Sequence, residues 1–191
     1  MNERSNPLMR LPAGLPVPLD DGACDHLPGM TMPSIPLRST NDRVIDLSRM
    51  TSGRVIVYAY PRTGTPDKSV PPEWDEIPGA RGCTPQSCSM RDHYRELQSL
   101  GAEVFGLSTQ SSEYQKEMAA RLQLPFEVLS DERLALTHAL NLPTFEFNGM
   151  TLIKRLTMVL KNGKIEKVFY PVFPPDKHGE QIVMWLRRKR A

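Results

Sequence analysis

Cys83 and Cys88 stand five positions apart in Gly82-Cys83-Thr84-Pro85-Gln86-Ser87-Cys88, where a proline-rich loop gives way to a helix pattern. A thiol at a helix start faces the positive end of the helix dipole and unpaired backbone amides, both of which favour thiolate over thiol. Thiolate is the reactive form of cysteine, so Cys83 is the candidate nucleophile, and a second thiol one turn further on points to redox chemistry. Two other readings of the same residues stay open. The cysteines could be small buried hydrophobes, or Cys83, Cys88 and His93 could ligate a metal with help from Cys24 and His26. Steps of five on a helix scatter ligands around the axis, which disfavours the metal. The pair also sets a geometric condition. In an intact α-helix, residues five apart have α-carbons about 8 to 9 Å from each other, whereas a disulfide needs less than about 7 Å. Any bond between these two sulfurs requires the first helical turn to unwind.

The rest of the chain must supply a scaffold for that helix start. At 191 residues it suits one domain able to bury a core without disulfide staples. Lys and Arg total 24 against 22 Asp and Glu, a net charge of +2 that gives no case for nucleic acid or an anionic membrane as partner. The basic run 187–190 falls at a helix end, where cations suit the dipole. Three cysteines do not make a secreted disulfide framework, and no segment approaches the ~20 apolar residues of a transmembrane helix. With no apolar stretch like a signal peptide at the N-terminus, the expected location is the cytoplasm, a reducing compartment.

Residues 1–27 carry Pro7, Pro12, Pro16 and Pro18 without a sustained period and read as an extended arm, leaving 28–191 as the domain. Strands are predicted at 44–47 and at 54–60, the second nearly continuous in β-branched and aromatic residues as a strand buried on both faces would be. A loop over 66–81 contains Pro66, Pro71, Pro72 and Pro78, and Trp74 within it either packs the loop down or docks a partner. One helix is predicted from Cys83 or Thr84 to Leu100, ended by Gly101. A strand at 102–108 follows, then a helix from Ser111 or Ser112 to Leu122 with Glu113 and Lys116 as a charge pair. A strand at 126–129 and a helix capped by Asp131 and running to about Leu140 come next, and His138 in that helix reads as a structural histidine. Lys161-Asn162-Gly163 joins strands at 155–160 and 164–170 in a hairpin, and an amphipathic helix closes the chain from about His178 to Lys189. This order implies an α/β fold, a mixed central sheet with helices on both faces, in the thioredoxin-like arrangement.

The chain also resembles the peroxiredoxins, most closely the peroxiredoxin Q or bacterioferritin comigratory protein group. The resemblance lies in residues 55–61, Thr65-Pro66, the Gly82-to-Cys88 block with Arg91-Asp92 behind it, Leu107-Ser108-Thr109, Leu129-Ser130-Asp131 and the hairpin from Arg155 to Phe169. It implies that Cys83 attacks a hydroperoxide to give a sulfenic acid, that Cys88 resolves this to a disulfide, and that thioredoxin or a similar dithiol recycles the pair. Arg155 matches the family arginine that supports thiolate and peroxide, Thr65 the threonine that orients the peroxide, and Pro61 the proline that shields the pocket. The family places its threonine three residues before the cysteine. Here Cys83 follows Thr65 by 18 positions and Ala80 holds the position three before it. The loop must fold aside for Thr65 to face Cys83.

The expected activity is a thiol-dependent peroxidase acting on hydrogen peroxide and organic hydroperoxides, with no cofactor, as monomer or homodimer. A thiol/disulfide switch with little turnover is the alternative. Cys24 reads as an arm or surface thiol without a role.

Overall fold

The uninterrupted run of aliphatic and aromatic residues at 55–60 makes a strand that can face two cores at once, and the sheet is built around it. In the computed structural model, which describes residues 7–65, 68 and 70–189, this is β3 (Arg54–Ala59). The two-residue alternation of side chains sends Val55, Val57 and Ala59 into one core and Ile56 and Tyr58 into the other, all fully buried. Pro66, Arg190 and the first six residues of the N-terminal segment lie outside the described residues.

The other elements are β1 (Pro36–Ser39), β2 (Val44–Asp46), α1 (Pro72–Glu76), α2 (Cys83–Asp92), α3 (Tyr94–Ser99), β4 (Ala102–Ser108), α4 (Ser112–Arg121) and β5 (Val128–Ser130). They continue with α5 (Ala135–Ala139), β6 (Thr144–Phe147), β7 (Met150–Ile153), β8 (Leu156–Lys161), β9 (Lys164–Phe169) and α6 (His178–Arg188). Seven strands form one sheet in the order β2-β1-β5-β4-β3-β8-β9, with β6 and β7 a separate hairpin. β3 runs parallel to β4 and antiparallel to β8, giving the mixed sheet expected. Helices α2, α3, α4 and α6 cover one face through Met90, Leu97, Met118 and Ile182. On the other face lie α5, through Leu136 and Leu140, and the N-terminal segment, through Cys24, Leu27 and Met32. The fold is α/β and thioredoxin-like.

Several local expectations need correction. The helix predicted from Cys83 to Leu100 is two helices, broken at His93, whose φ of −96° and ψ of 1° leave the helical range. His93 Nδ1 lies 2.9 Å from the Ser89 carbonyl oxygen, and Gly179 of α6 packs so closely there that a Cβ would stand 2.5 Å from the same oxygen. The helix turns where its neighbour crosses. Lys116 pairs with Asp42 at 2.6 Å and Glu113 lies 3.8 Å from Arg38, so both reach across to the β1–β2 region instead of to each other. Asp131 does hold a helix start, accepting from the amides of Leu136 and Thr137 at 3.0 and 2.7 Å, but α5 is only one turn long. β5 begins at Val128, two residues later than predicted. His138 is exposed.

The elements that went unrecognised include β1, α1, which lies within the stretch read as a loop, and the β6–β7 hairpin. The hairpin turns at Asn148-Gly149, both with positive φ. The Asn162-Gly163 turn is the same device in the position predicted for it.

Candidate active site

β3 delivers the chain to the site and α2 carries it away. Beyond β3, Tyr60 is buried and donates its hydroxyl to Gln115 Oε1 at 2.8 Å, while Pro61, also buried, has its carbonyl held by Ser108 Oγ at 3.2 Å. Thr63 accepts from Tyr114 Oη at 3.1 Å and exchanges hydrogen bonds with Gln110, whose Oε1 takes the Thr63 amide at 2.9 Å. These contacts fix the 61–65 stretch against the ends of β4 and α4. Neither Gln110 nor Tyr114 stood out in the sequence.

Gly82 turns the chain into α2. Its φ of 102° is left-handed, and a Cβ there would lie 2.4 Å from Pro175 Cγ and 2.7 Å from Leu11 Cδ2, so the position takes only glycine. Cys83 is therefore the first helical residue, and Pro85 in the first turn sacrifices no helical bond. Cys83 is 4% exposed and Cys88 8% exposed. The three cysteines are all thiols, with no disulfide. Cys83 and Cys88 sit in one unbroken helix whose residues 83–90 are buried throughout.

Arg155 occupies the bend between β7 and β8, one residue before the strand on which it was predicted, and is 3% exposed. Its Nη2 reaches Cys83 Sγ at 3.2 Å and also donates to the carbonyls of Ala80 and Arg81 at 3.0 and 3.1 Å. Nε donates to the Gly79 carbonyl at 3.2 Å and Nη1 to Gln86 Oε1. A buried guanidinium against sulfur stabilises negative charge there and on any oxygen that departs beside it. Gln86 lies three residues after Cys83 on the same helix face. That spacing is the signal by which sequence alone could have found it.

The continuously described part of the loop, residues 70–81, does fold aside. Its helix α1 places Trp74, 5% exposed, against Phe145 and Phe147 of the β6–β7 hairpin at ring distances of 6.0 and 4.9 Å. Trp74 thus packs the loop down. Thr65 and Cys83 consequently line one cavity, whose other walls include Leu8, Arg62, Trp74 and Phe147. Thr65 Oγ1 is buried without a hydrogen-bond partner, a donor and acceptor available to a bound oxygen. Ala80, in the place three before Cys83, contributes its carbonyl to Arg155 and receives the Cys83 thiol at 3.5 Å.

Cys24 is no surface thiol. It is 5% exposed in the core beneath the sheet, and burial, reinforced by Asp21, Asp20 and Asp25, pushes its pKa up to about 12, which leaves it inert. The buried histidine is His178, fully enclosed, with Nε2 2.8 Å from Thr157 Oγ1 and Nδ1 3.1 Å from Gln181 Oε1. Burial holds its pKa down at about 4, so it is neutral at physiological pH. Among the described residues no cluster of His, Cys, Asp or Glu is arranged to hold a metal.

A thiol at a glycine-turned helix start, a buried arginine on its sulfur and a thioredoxin-like sheet behind both define a thiol-based redox enzyme. The Redoxin family profile matches residues 27–182. The chain is 36% identical over 160 residues to the chloroplastic peroxiredoxin Q of Sedum lineare, covering 83% of this chain and 77% of that one. It is 35% identical over 156 residues to the chloroplastic peroxiredoxin Q of Oryza sativa subsp. japonica, covering 81% of this chain and 64%, just under two thirds, of the rice protein. The fold is shared with the peroxidoxin BcpB of Mycobacterium tuberculosis, at a TM-score of 0.71 and 24% identity over 87% of this chain and all of that one. A PrxQ mutant of Xylella fastidiosa gives 0.70 and 20%, over 87% and 99%. The chain belongs to the Redoxin family, in the peroxiredoxin Q group, and is an enzyme of the peroxiredoxin class.

Proposed function

We propose that Cys83 is the peroxidatic cysteine of a hydroperoxide reductase and Cys88 its resolving partner. The observation that carries this reading is Arg155 Nη2 at 3.2 Å from the sulfur of Cys83, a residue that lines one cavity together with Thr65. The Cys83 thiolate attacks the terminal oxygen of the hydroperoxide and the O–O bond breaks. The sulfur becomes a sulfenic acid, and the departing oxygen takes a proton to leave as water or alcohol. Arg155 faces the charge that moves from sulfur to leaving oxygen, Thr65 Oγ1 hydrogen-bonds the peroxide, and Pro61, buried and not itself in the lining, backs the 62–65 stretch that walls the cavity. The first turn of α2 then unwinds, the Cys88 thiolate attacks the Cys83 sulfenic sulfur, water leaves and the disulfide forms. An external dithiol, thioredoxin or a protein like it, restores both thiols by exchange.

The substrates are hydrogen peroxide and small organic hydroperoxides, residues 28–191 form the catalytic domain with the 66–81 loop as an insertion, and the working form is a monomer or homodimer. A reducing compartment suits a chain whose three cysteines are thiols. The cytoplasm is the compartment we propose, although the two plant relatives are chloroplastic proteins.

NADPH oxidation coupled through thioredoxin reductase and thioredoxin tests the cycle. Sustained turnover with hydrogen peroxide, abolished in Cys83→Ser, is the expected result. A single oxidation per chain without recycling would replace the enzyme reading with that of a redox switch.

A further inference from the structure

We propose that the limb of the loop from Trp74 to Arg81 positions Arg155 over the Cys83 sulfur, with the Asp75–Arg81 ion pair as its brace. This rests on the reading of Cys83 as nucleophile and assigns the loop a part in the same site.

The guanidinium of Arg155 is buried, and its orientation follows from where its N–H groups find acceptors. α2 provides Gln86 Oε1 and the sulfur itself. The three remaining acceptors are consecutive carbonyls of the loop exit, Gly79, Ala80 and Arg81, at 3.2, 3.0 and 3.1 Å. Without them Nε would have no partner and Nη2 only the sulfur, and a buried guanidinium left so poorly paired would turn to find others. The limb is in turn fixed at two points. At one end Trp74 packs on Phe145 and Phe147 of the β6–β7 hairpin, and β7 ends two residues before Arg155, so one hairpin both anchors the loop and delivers the arginine. At the other end Arg81, with a side chain 11% exposed, reaches back to Asp75 of α1 at 3.1 Å and closes the limb on itself. Asp75 is neither a lining residue of the cavity nor a hydrogen-bond partner of Arg155, so a change there acts on the sulfur through the limb.

Alkylation of reduced protein by iodoacetamide, followed at Cys83 by peptide mass spectrometry across pH, separates positioning from mere stability. Asp75→Ala is expected to alkylate at Cys83 on the order of tenfold more slowly at neutral pH, with the rise in reactivity displaced to higher pH, because the arginine is held less firmly on the sulfur. Asp75→Glu, which keeps the carboxylate, is expected to stay within about twofold of the native rate. If Asp75→Ala reacts at the native rate with the native pH profile, the inference is overturned. The same holds if that variant only lowers the melting temperature and leaves reactivity alone. If Cys83→Ser retains peroxide turnover, both the reading of Cys83 and this inference fall. If Cys83→Ser is inactive while Asp75→Ala is unaltered, only the inference does.

Discussion

At the residue scale the proposed site is a sulfur, an arginine and a threonine hydroxyl, and they were legible to different degrees. The cysteines declared themselves by the helix-start signature. Arg155 and Thr65 had no signature of their own and rested on resemblance, because a cation on a strand and a threonine in a loop are commonplace until tertiary contacts select them. The carbonyls of residues 79–81 were invisible, since every residue has one and only the fold decides which face inward. Arg155→Lys is expected to slow the reaction of reduced protein with hydrogen peroxide by about a hundredfold, measured by stopped-flow fluorescence, because an ammonium cannot span sulfur, carbonyls and Gln86 Oε1 together. A smaller loss than tenfold would remove Arg155 from the chemistry. Cys88→Ser should still form a dimedone-trappable sulfenic acid at Cys83 but no intramolecular disulfide. Formation of that disulfide from Cys83 with Cys24 instead would reassign the resolving role.

At the element scale α2 is the part that must move in the proposed cycle, and its contacts are what resist. Its first turn is buried between Pro175, Leu11 and the loop exit, and Ser89 Oγ accepts from the Gly179 amide at 3.0 Å further along. Hydrogen exchange at the amides of residues 86–88, the first in α2 with helical acceptors, is expected to be strongly protected in the thiol form and fast in the disulfide form. A disulfide form that keeps those amides protected would sink the unwinding step. Trp74→Ala should cost about 3 kcal/mol of stability in denaturant titration, the usual penalty for deleting a buried tryptophan side chain, and a cost near zero would show the loop to be independently held. The broken helix and the missed β6–β7 hairpin illustrate how far local pattern reaches. Asn148-Gly149 carried the same turn signal as Asn162-Gly163, but its flanks Phe145 to Phe147 and Met150 to Ile153 are too short to stand out as strands. The break at His93 depends on Gly179, which is distant in sequence and close only in the fold.

For the whole molecule, a mixed sheet with helices on both faces was legible in the succession of strand and helix patterns, whereas the strand order was not, and surface pairs were misread where a neighbouring element displaced a local partner. Lys116 choosing Asp42 over Glu113 is one such case. The largest titratable liability is His178, which joins α6 to β8 through Thr157. Its pKa is about 4 when folded against an ordinary 6.5, so the unfolded chain binds a proton there that the folded chain does not. Stability is therefore complete above about pH 6.5, falls as pH drops toward 4, and loses about 3 kcal/mol over that window before levelling. The carboxylates held below their ordinary range, Glu127 and Glu166 by Arg43 and Arg54, add acid loss mainly at lower pH. Melting temperatures from pH 7 to 4.5 should show the decline in the native chain and a flattened one in His178→Gln. Equal slopes would move the acid sensitivity elsewhere.

Every group that Arg155 touches other than the sulfur is electrically neutral: three backbone carbonyls and an amide oxygen. The arginine is thus oriented without being discharged, and among its hydrogen-bond partners in the described residues the group that can carry a negative charge is the Cys83 sulfur. In the proposed cycle that anion vanishes at the first chemical step, when thiolate becomes sulfenic acid. The strongest tie between the β7–β8 bend and the start of α2 then weakens at the moment that turn is required to open, so the reaction would loosen its own scaffold in the order the chemistry needs.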